Sequence, residues 1–337
     1  MYKQTGKKGT RVPGTSEQAN PVAAEFNGTS VGIALKRMLH ASRPKFFTAS
    51  ALPVLVGSVY GIYTSGAFAP GVFLLALLAT VCVHAASNVL NDVGDDDNGT
   101  DRHNVDRIYP YTGGSRFIQT GIMSSRQMAQ LGISQLAIAA IAGMVLIYLK
   151  GPMVLYFGLA GVALAVLYSL GPMRLSALGV GETAVGIGLG IIPICGAAWL
   201  QGATLDLQLL LFSIPVSAWV AAILLINEVP DIAADGAAGK RTLPVRLGLL
   251  GTALVYLFLH FLAAVATGWL TFSGLLPLLA PVVPVALFVL AIKASNSIQK
   301  GIEDRDAMTS AIESTLAIHT LGSLWLTGCL LYMFWWG

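Results

Sequence analysis

The sequence predicts an all-α, polytopic membrane protein, and three observations predict it. More than half of the 337 residues are apolar (55%), only 11% are charged, and 37 are glycine, a composition unlike that of a soluble enzyme. Apolar runs of about 20 residues, long enough to cross roughly 30 Å of hydrocarbon at 1.5 Å per residue, recur along the chain. Two acidic clusters stand at the ends of such runs, where an ionised carboxylate costs free energy unless it is paired, solvated in a cavity or bound to a cation.

The elements follow in chain order. Residues 1–35 are polar, with Gly, Pro and Ser and no run that could serve as a signal peptide, and read as a disordered cytoplasmic tail; residues 36–337 form one transmembrane domain. A short amphipathic segment, Val31 to His40, carries Lys36 and Arg37 near its polar side. It reads as a basic topology determinant, with a helix lying on the cytoplasmic surface as the alternative. Nine spans begin near Phe46, Pro70, Gln127, Met153, Ala177, Leu207, Leu247, Leu275 and Ile312.

Cations set the orientation, because Lys and Arg are retained on the cytoplasmic side. Lys36, Arg37, Arg43 and Lys45 precede the first span, Arg102, Arg107, Arg116 and Arg126 follow the second, and Arg174 follows the fourth. Lys240, Arg241 and Arg246 follow the sixth, and Lys293, Lys300 and Arg305 follow the eighth; only Lys150 falls on the other side. The N-terminus is then cytoplasmic, the C-terminus outside, and both acidic clusters share the cytoplasmic face. Cys82, Cys195 and Cys329 are scattered singly, so no disulfide framework or thiolate site is expected.

The first cluster runs from Asn88 to Asp101. At 100° per residue Asn88, Asn91, Asp92 and Asp95 fall within an arc of about 100° and share a helix face. Asp96, Asp97 and Asp101 lie past Gly94 and in the stretch containing Gly99, where the helix is free to end. In the second cluster Asn227, Asp231 and Asp235 are spaced by four, along one side of the sixth span, and Pro230 is expected to kink that helix. Oxygen ligands without His or Cys suit a hard divalent cation, Mg²⁺, which takes one or two carboxylates plus waters and phosphate oxygens. A diphosphate would complete such a site, and Arg102, Arg107, Arg116, Lys240 and Arg241 stand close in sequence to neutralise it. His84 precedes Asn88 by one turn and reads as a packing histidine, with a place facing the same cavity as the alternative. Glu182, inside an apolar run, needs a cavity to reach; Tyr168 and Arg174, at the cytoplasmic end of the fourth span, could approach the same cavity.

At these residues the sequence resembles the UbiA superfamily of intramembrane prenyltransferases. The resemblance is to the 1,4-dihydroxy-2-naphthoate polyprenyltransferase branch. It is carried by Arg43-Pro44-Lys45, by Asn91-Asp92 with Asp95, Gly99 and Asp101, by Tyr168-Ser169 with Gly171-Pro172 and by Gly179 with Gly181-Glu182. It continues in Asn227, Asp231 and Asp235 followed by Gly239-Lys240-Arg241-Thr242-Leu243. Val93 and Glu228 depart from the branch pattern, as does Tyr111–Arg116.

The resemblance implies nine transmembrane helices around a central cavity capped by cytoplasmic loops, in a bacterial inner membrane. It implies Mg²⁺ held by Asn91, Asp95, Asp101, Asp231 and Asp235, catalytic roles for Asp92, Asp95, Asp231 and Asp235, and diphosphate contacts from Arg43, Lys45, Arg102, Arg107, Arg116, Lys240 and Arg241. Asn88, Tyr168, Arg174, Glu182 and Asn227 are placed on the acceptor side of the cavity. The implied partners are a polyprenyl diphosphate, an aromatic acceptor and the bilayer, with no nucleic acid. The implied activity is Mg-dependent prenylation of 1,4-dihydroxy-2-naphthoate in menaquinone biosynthesis. The alternatives are another acceptor, such as 4-hydroxybenzoate or a tetrapyrrole, and a cation-coupled transporter, against which the flanking cations on one face argue.

Overall fold

The computed structural model describes residues 20–169 and 174–336, without the side chains of residues 102, 103 and 169. Every regular element among the described residues is helical. Seven stretches are long and apolar enough to cross a membrane. One of them, Val282–Trp336, holds two helices, and an eighth apolar helix, Met153–Ser169, is shorter.

Within the tail expected through residue 35, the described residues from Asn20 onward hold local structure: Phe26 is buried against Phe117, and α1 (Val31–Ala41) is capped by the Ser30 hydroxyl, which accepts from Ile33 N. Residues 1–19 lie outside the described residues. After a 3₁₀ turn at Pro44–Phe46, α2 (Thr48–Ser65) crosses and ends on Gly66, whose φ of 72° closes the helix in the left-handed region. The next helix, α3 (Pro70–Asp97), has 28 residues. At 1.5 Å per residue it is about 42 Å long, roughly 12 Å more than the hydrocarbon, so its acid-bearing last turns can reach beyond the apolar layer. It runs through Gly94 and ends at Asp97, within the stretch expected to release it, and after Gly99 (φ 80°) the short α4 (Thr100–His103) follows.

The Ser124–Gln127 capping box opens α5 (Ser125–Lys150), which packs along α3, and α6 (Met153–Ser169) returns. The fifth span starts at Gly181, not Ala177, because Leu175–Ala177 is a separate 3₁₀ turn and Gly179 takes a φ of 70°. It consists of α7 (Gly181–Val185), a π-helical stretch at Gly186–Ile191 and α8 (Ile192–Leu200).

At the centre, α9 (Leu207–Asn227) is the most enclosed span, 78% buried, and packs on α11 (Leu243–Phe272), α13 (Arg305–Trp336) and the π-helical stretch. It ends at Asn227 instead of continuing with a kink. Pro230 cannot donate a backbone hydrogen bond, so Glu228–Asp231 form turns and Asp231 begins α10 (Ile232–Ala237). Asp231 and Asp235 therefore belong to the loop over α9. The last hairpin also differs from expectation. Gly274 (φ 81°), Pro277 and Pro281 keep 273–281 in turns, so α12 (Val282–Lys300) starts at Val282, and α13 starts two turns before Ile312 with its charged Arg305, Asp306 and Glu313.

Candidate active site

A cavity of about 150 Å³ opens between the α3 end, the 104–114 loop, the α6 end and α10. Its mouth is polar and its inner wall apolar: Val185 and Leu189 come from the fifth span, and Val220, Ile223 and Leu224 from α9. Of the residues singled out from sequence, Arg43, His84, Asn88, Asn91, Asp95, Asp101, Tyr168, Asn227, Asp231, Asp235 and Lys240 line it. The two acidic clusters, more than a hundred residues apart, thus face one space.

Lys240 joins them. Its Nζ lies 2.6 Å from Asp95 Oδ1 and 3.3 Å from Asp235 Oδ1, with all three side chains largely enclosed. Burial alone lowers the pKa of this ammonium, but the Asp95 and Asp235 charges outweigh that and raise it above its ordinary value, so it stays cationic. Burial pushes Asp235 up to about 7 even against Lys240. It pushes Asp101 up to about 8, helped by the nearby charges of Asp92 and Asp95. The Asp231 carboxyl is also raised by burial, opposed by hydrogen bonds. A mouth this rich in destabilised carboxylates gains from a further cation.

Among the described residues no three His, Cys, Asp or Glu side chains converge on one point. The expected single metal site is therefore not a closed cage. Asn91, Asp95 and Asp101 line the cavity from the first cluster and Asp231 and Asp235 from the second, with Lys240 paired to Asp95 and Asp235. That donor set fits Mg²⁺, which leaves several positions to water and phosphate oxygens.

Asp92 does not line the cavity. Its Oδ2 accepts from Ser115 N at 2.9 Å, and a Cβ on Gly114 would lie 2.8 Å from its Oδ1, which has no hydrogen-bond partner among the described residues. The 113–115 loop folds over it, and its visible task is to seat that loop.

Other predicted residues serve the loops. Arg43, itself at φ 58°, donates to Tyr111 O at 2.7 Å, and Lys45 sits 4.8 Å above the Tyr111 ring. Arg107 bonds Asn104 O and Asn20, while Arg116 bonds Asp101 O and lies 3.8 Å from its carboxylate. Arg174 reaches Asp97 at 3.9 Å near the surface, and Arg241 is exposed beyond the mouth. The Arg102 side chain lies outside the described residues. Glu182 is buried beside Glu228, with a side-chain hydrogen bond between them; Glu228 lines the cavity and Glu182 stands behind it. Burial, then Glu182, raise the Glu228 carboxyl well above its usual range.

Residues 50–312 match the UbiA prenyltransferase family. The chain belongs to that family. It is 31% identical over 245 residues to the 1,4-dihydroxy-2-naphthoate octaprenyltransferase of Mycobacterium tuberculosis (73% of this chain, 80% of the relative). It is 29% identical over 264 residues to that of Haemophilus influenzae (73% and 84%). Its fold is similar to that of a UbiA homologue from Archaeoglobus fulgidus bound to GPP and Mg²⁺, with a TM-score of 0.58 and 16% identity, the match covering 87% of this chain and 99% of that one.

The UbiA-type cavity also holds residues that sequence reading missed. Asn104 Nδ2 donates to Asp231 Oδ1 at 2.7 Å, and Gly113 N donates to Asp231 Oδ2 at 3.2 Å, so the first cap loop grips the second acidic cluster. Tyr111 O–H donates to Glu313 at 2.7 Å, and Arg305 bonds Asp106 O and Arg107 O, anchoring the same loop to α13. Asn104 carries one signal, an amide three residues past Asp101 in a polar loop. Glu313 and Arg305 carry none.

Proposed function

We propose that this UbiA-family aromatic prenyltransferase transfers a polyprenyl group from an allylic diphosphate to 1,4-dihydroxy-2-naphthoate. The observation that carries the reading is the single cavity whose mouth gathers both acidic clusters around Lys240 and whose inner wall is apolar. A diphosphate matches the mouth and an isoprenoid the wall. The names of the relatives support the acceptor, and the GPP and Mg²⁺ of the Archaeoglobus homologue support the donor and the metal.

In this reading Asn91, Asp95, Asp101, Asp231 and Asp235 hold Mg²⁺, which when bound neutralises the diphosphate oxygens and stabilises the departing charge. Lys240 and Arg43, which line the mouth, add fixed positive charge where the leaving diphosphate collects it. Val185, Leu189, Val220, Ile223 and Leu224 keep water from the allylic cation formed as the C–O bond ionises. Tyr168, Asn88 and Asn227 offer hydrogen bonds to the ring substituents of the acceptor, with Glu228 beside them on the cavity wall and Glu182 behind it. Asp92 acts by holding the 113–115 loop, and Arg107 and Arg116 by bracing the loop around Asp101 and Asn104.

The same reading includes nine spans, counting α6 and dividing Val282–Trp336 into α12 and α13, with the capped mouth on the cytoplasmic face of a bacterial inner membrane. The test supplies membranes containing the protein with one polyprenyl diphosphate and either 1,4-dihydroxy-2-naphthoate or 4-hydroxybenzoate, and weighs the lipid products. A prenylated naphthoquinol that has lost the carboxylate as CO₂ is expected, recovered as the quinone once air oxidises it. A prenylated hydroxybenzoate alone overturns the acceptor and leaves the prenyl transfer standing.

A further inference from the structure

We infer that α1 is an in-plane membrane helix, its apolar face seated in the anionic headgroup and acyl boundary of the leaflet at the cavity mouth. Val31, Leu35, Met38 and Leu39 are 75%, 59%, 41% and 51% exposed. At 100° per residue they fall within an arc of about 100°, one continuous stripe. The other side of the helix is already used: Ala41 is fully buried, Arg37 donates to Gly28 O at 2.8 Å, and Lys36 pairs with Glu25 at 3.3 Å. A stripe of four large apolar side chains facing water would be costly, and an interfacial helix of this kind sinks about 5–10 Å into the boundary region.

The depth of α1 selects lipid as the occupant. Ser42, which ends the helix, accepts from Gln135 Nε2 through its hydroxyl at 2.6 Å and from Asn88 Nδ2 through its carbonyl at 3.2 Å. Gln135 is ten residues into α5, about 15 Å along its axis, beside Ile133, which is 63% exposed on a membrane-spanning helix. The C-terminal end of α1 is therefore held at the level where α5 already faces lipid, and the first span begins two residues later at Pro44. Charge selects the lipid class. From residue 20 to 47 the only acid is Glu25, against Lys36, Arg37, Arg43 and Lys45, and basic residues at a surface favour anionic headgroups by about 1 kcal/mol each. Because Ser42 leads directly into Arg43, the seat of α1 fixes where that arginine enters the mouth.

The test places an environment-sensitive fluorophore on Leu35→Cys, and separately on Leu39→Cys in case the first variant folds poorly. The full-length protein is held in nanodiscs of phosphatidylcholine and phosphatidylglycerol, and labelled wild type corrects for the native cysteines. Quenching by lipids with a nitroxide near the headgroup, with protection from aqueous iodide, is expected at both sites. Quenching by iodide would put the face in water. Quenching by neither agent would put protein over it, either residues 1–19 or a second copy, and would equally overturn the inference. Replacing phosphatidylglycerol by phosphatidylcholine is expected to reduce lipid quenching about twofold or more; unchanged quenching overturns the choice of anionic lipid.

Discussion

Asp95 and Asp231 each meet the mouth from a different half of the chain, and their neighbours differ in kind. Asp95 is paired with the Lys240 ammonium and Asp231 is held by the amides of Asn104 and Gly113. Replacing either acid by Ala removes a proposed metal ligand, and diphosphate release should fall by about 100-fold or more while the protein still inserts. Full activity of wild type in a chelator would sink the ligand assignment. Asn104→Ala tests the grip of the loop on Asp231. Losing a hydrogen bond to a charged group costs about 1.5–3 kcal/mol, so the Mg²⁺ concentration for half-maximal rate should rise about tenfold or more, with a smaller effect on the rate at saturating Mg²⁺. An unchanged Mg²⁺ dependence would make Asn104 a bystander.

Among the elements, α2 and α8 lie closer than ordinary side chains permit, and glycine makes that approach possible. A Cβ on Gly57 would meet Ile194 O at 2.2 Å, backbone that cannot move aside cheaply. Gly57→Ala should therefore lower stability by about 1–3 kcal/mol, seen as a drop in Tm in detergent. Gly143→Ala on α5, where a Cβ meets nothing within 4 Å, should leave Tm unchanged or raise it. The spans and the acidic clusters were legible in sequence because a carboxylate in an apolar run is a large local anomaly. Helix ends were less so: the run from Leu275 to Pro281 is apolar enough to read as membrane, yet Gly274, Pro277 and Pro281 hold it in turns. Helical periodicity correctly grouped Asn88, Asn91 and Asp95. It could not reveal that the 113–115 loop covers Asp92, because that contact depends on where a separate loop lands. The Tyr111–Glu313 tie was invisible for the same reason, being made between two unremarkable polar residues 202 positions apart.

For the molecule as a whole, charge and chemistry gather at one end. Arg43, Lys45, Arg107, Arg116, Arg174, Lys240 and Arg241 stand at or around the cavity mouth, whereas the connections at the opposite helix ends, residues 66–69, 151–152, 201–206 and 273–281, carry no Lys or Arg, and Lys150 alone stands beside them. A cluster of cations suited to an anionic diphosphate is of the kind that biogenesis retains in the cytoplasm, so the two demands coincide, and the proposed orientation puts the mouth on that side. Proposed orientation and proposed chemistry can then be separated by reporter fusions. Alkaline phosphatase fused after Trp336 should be active and green fluorescent protein there dark, while fusions after Gly239, in the loop over the mouth, should give the reverse. The opposite pattern at both positions would place the mouth outside, away from a cytoplasmic supply of diphosphate, and would refute the orientation without touching the cavity itself. Matching signals at the two positions would mean an even number of crossings between Gly239 and Trp336, which would break the division of Val282–Trp336 into two spans and with it the count of nine.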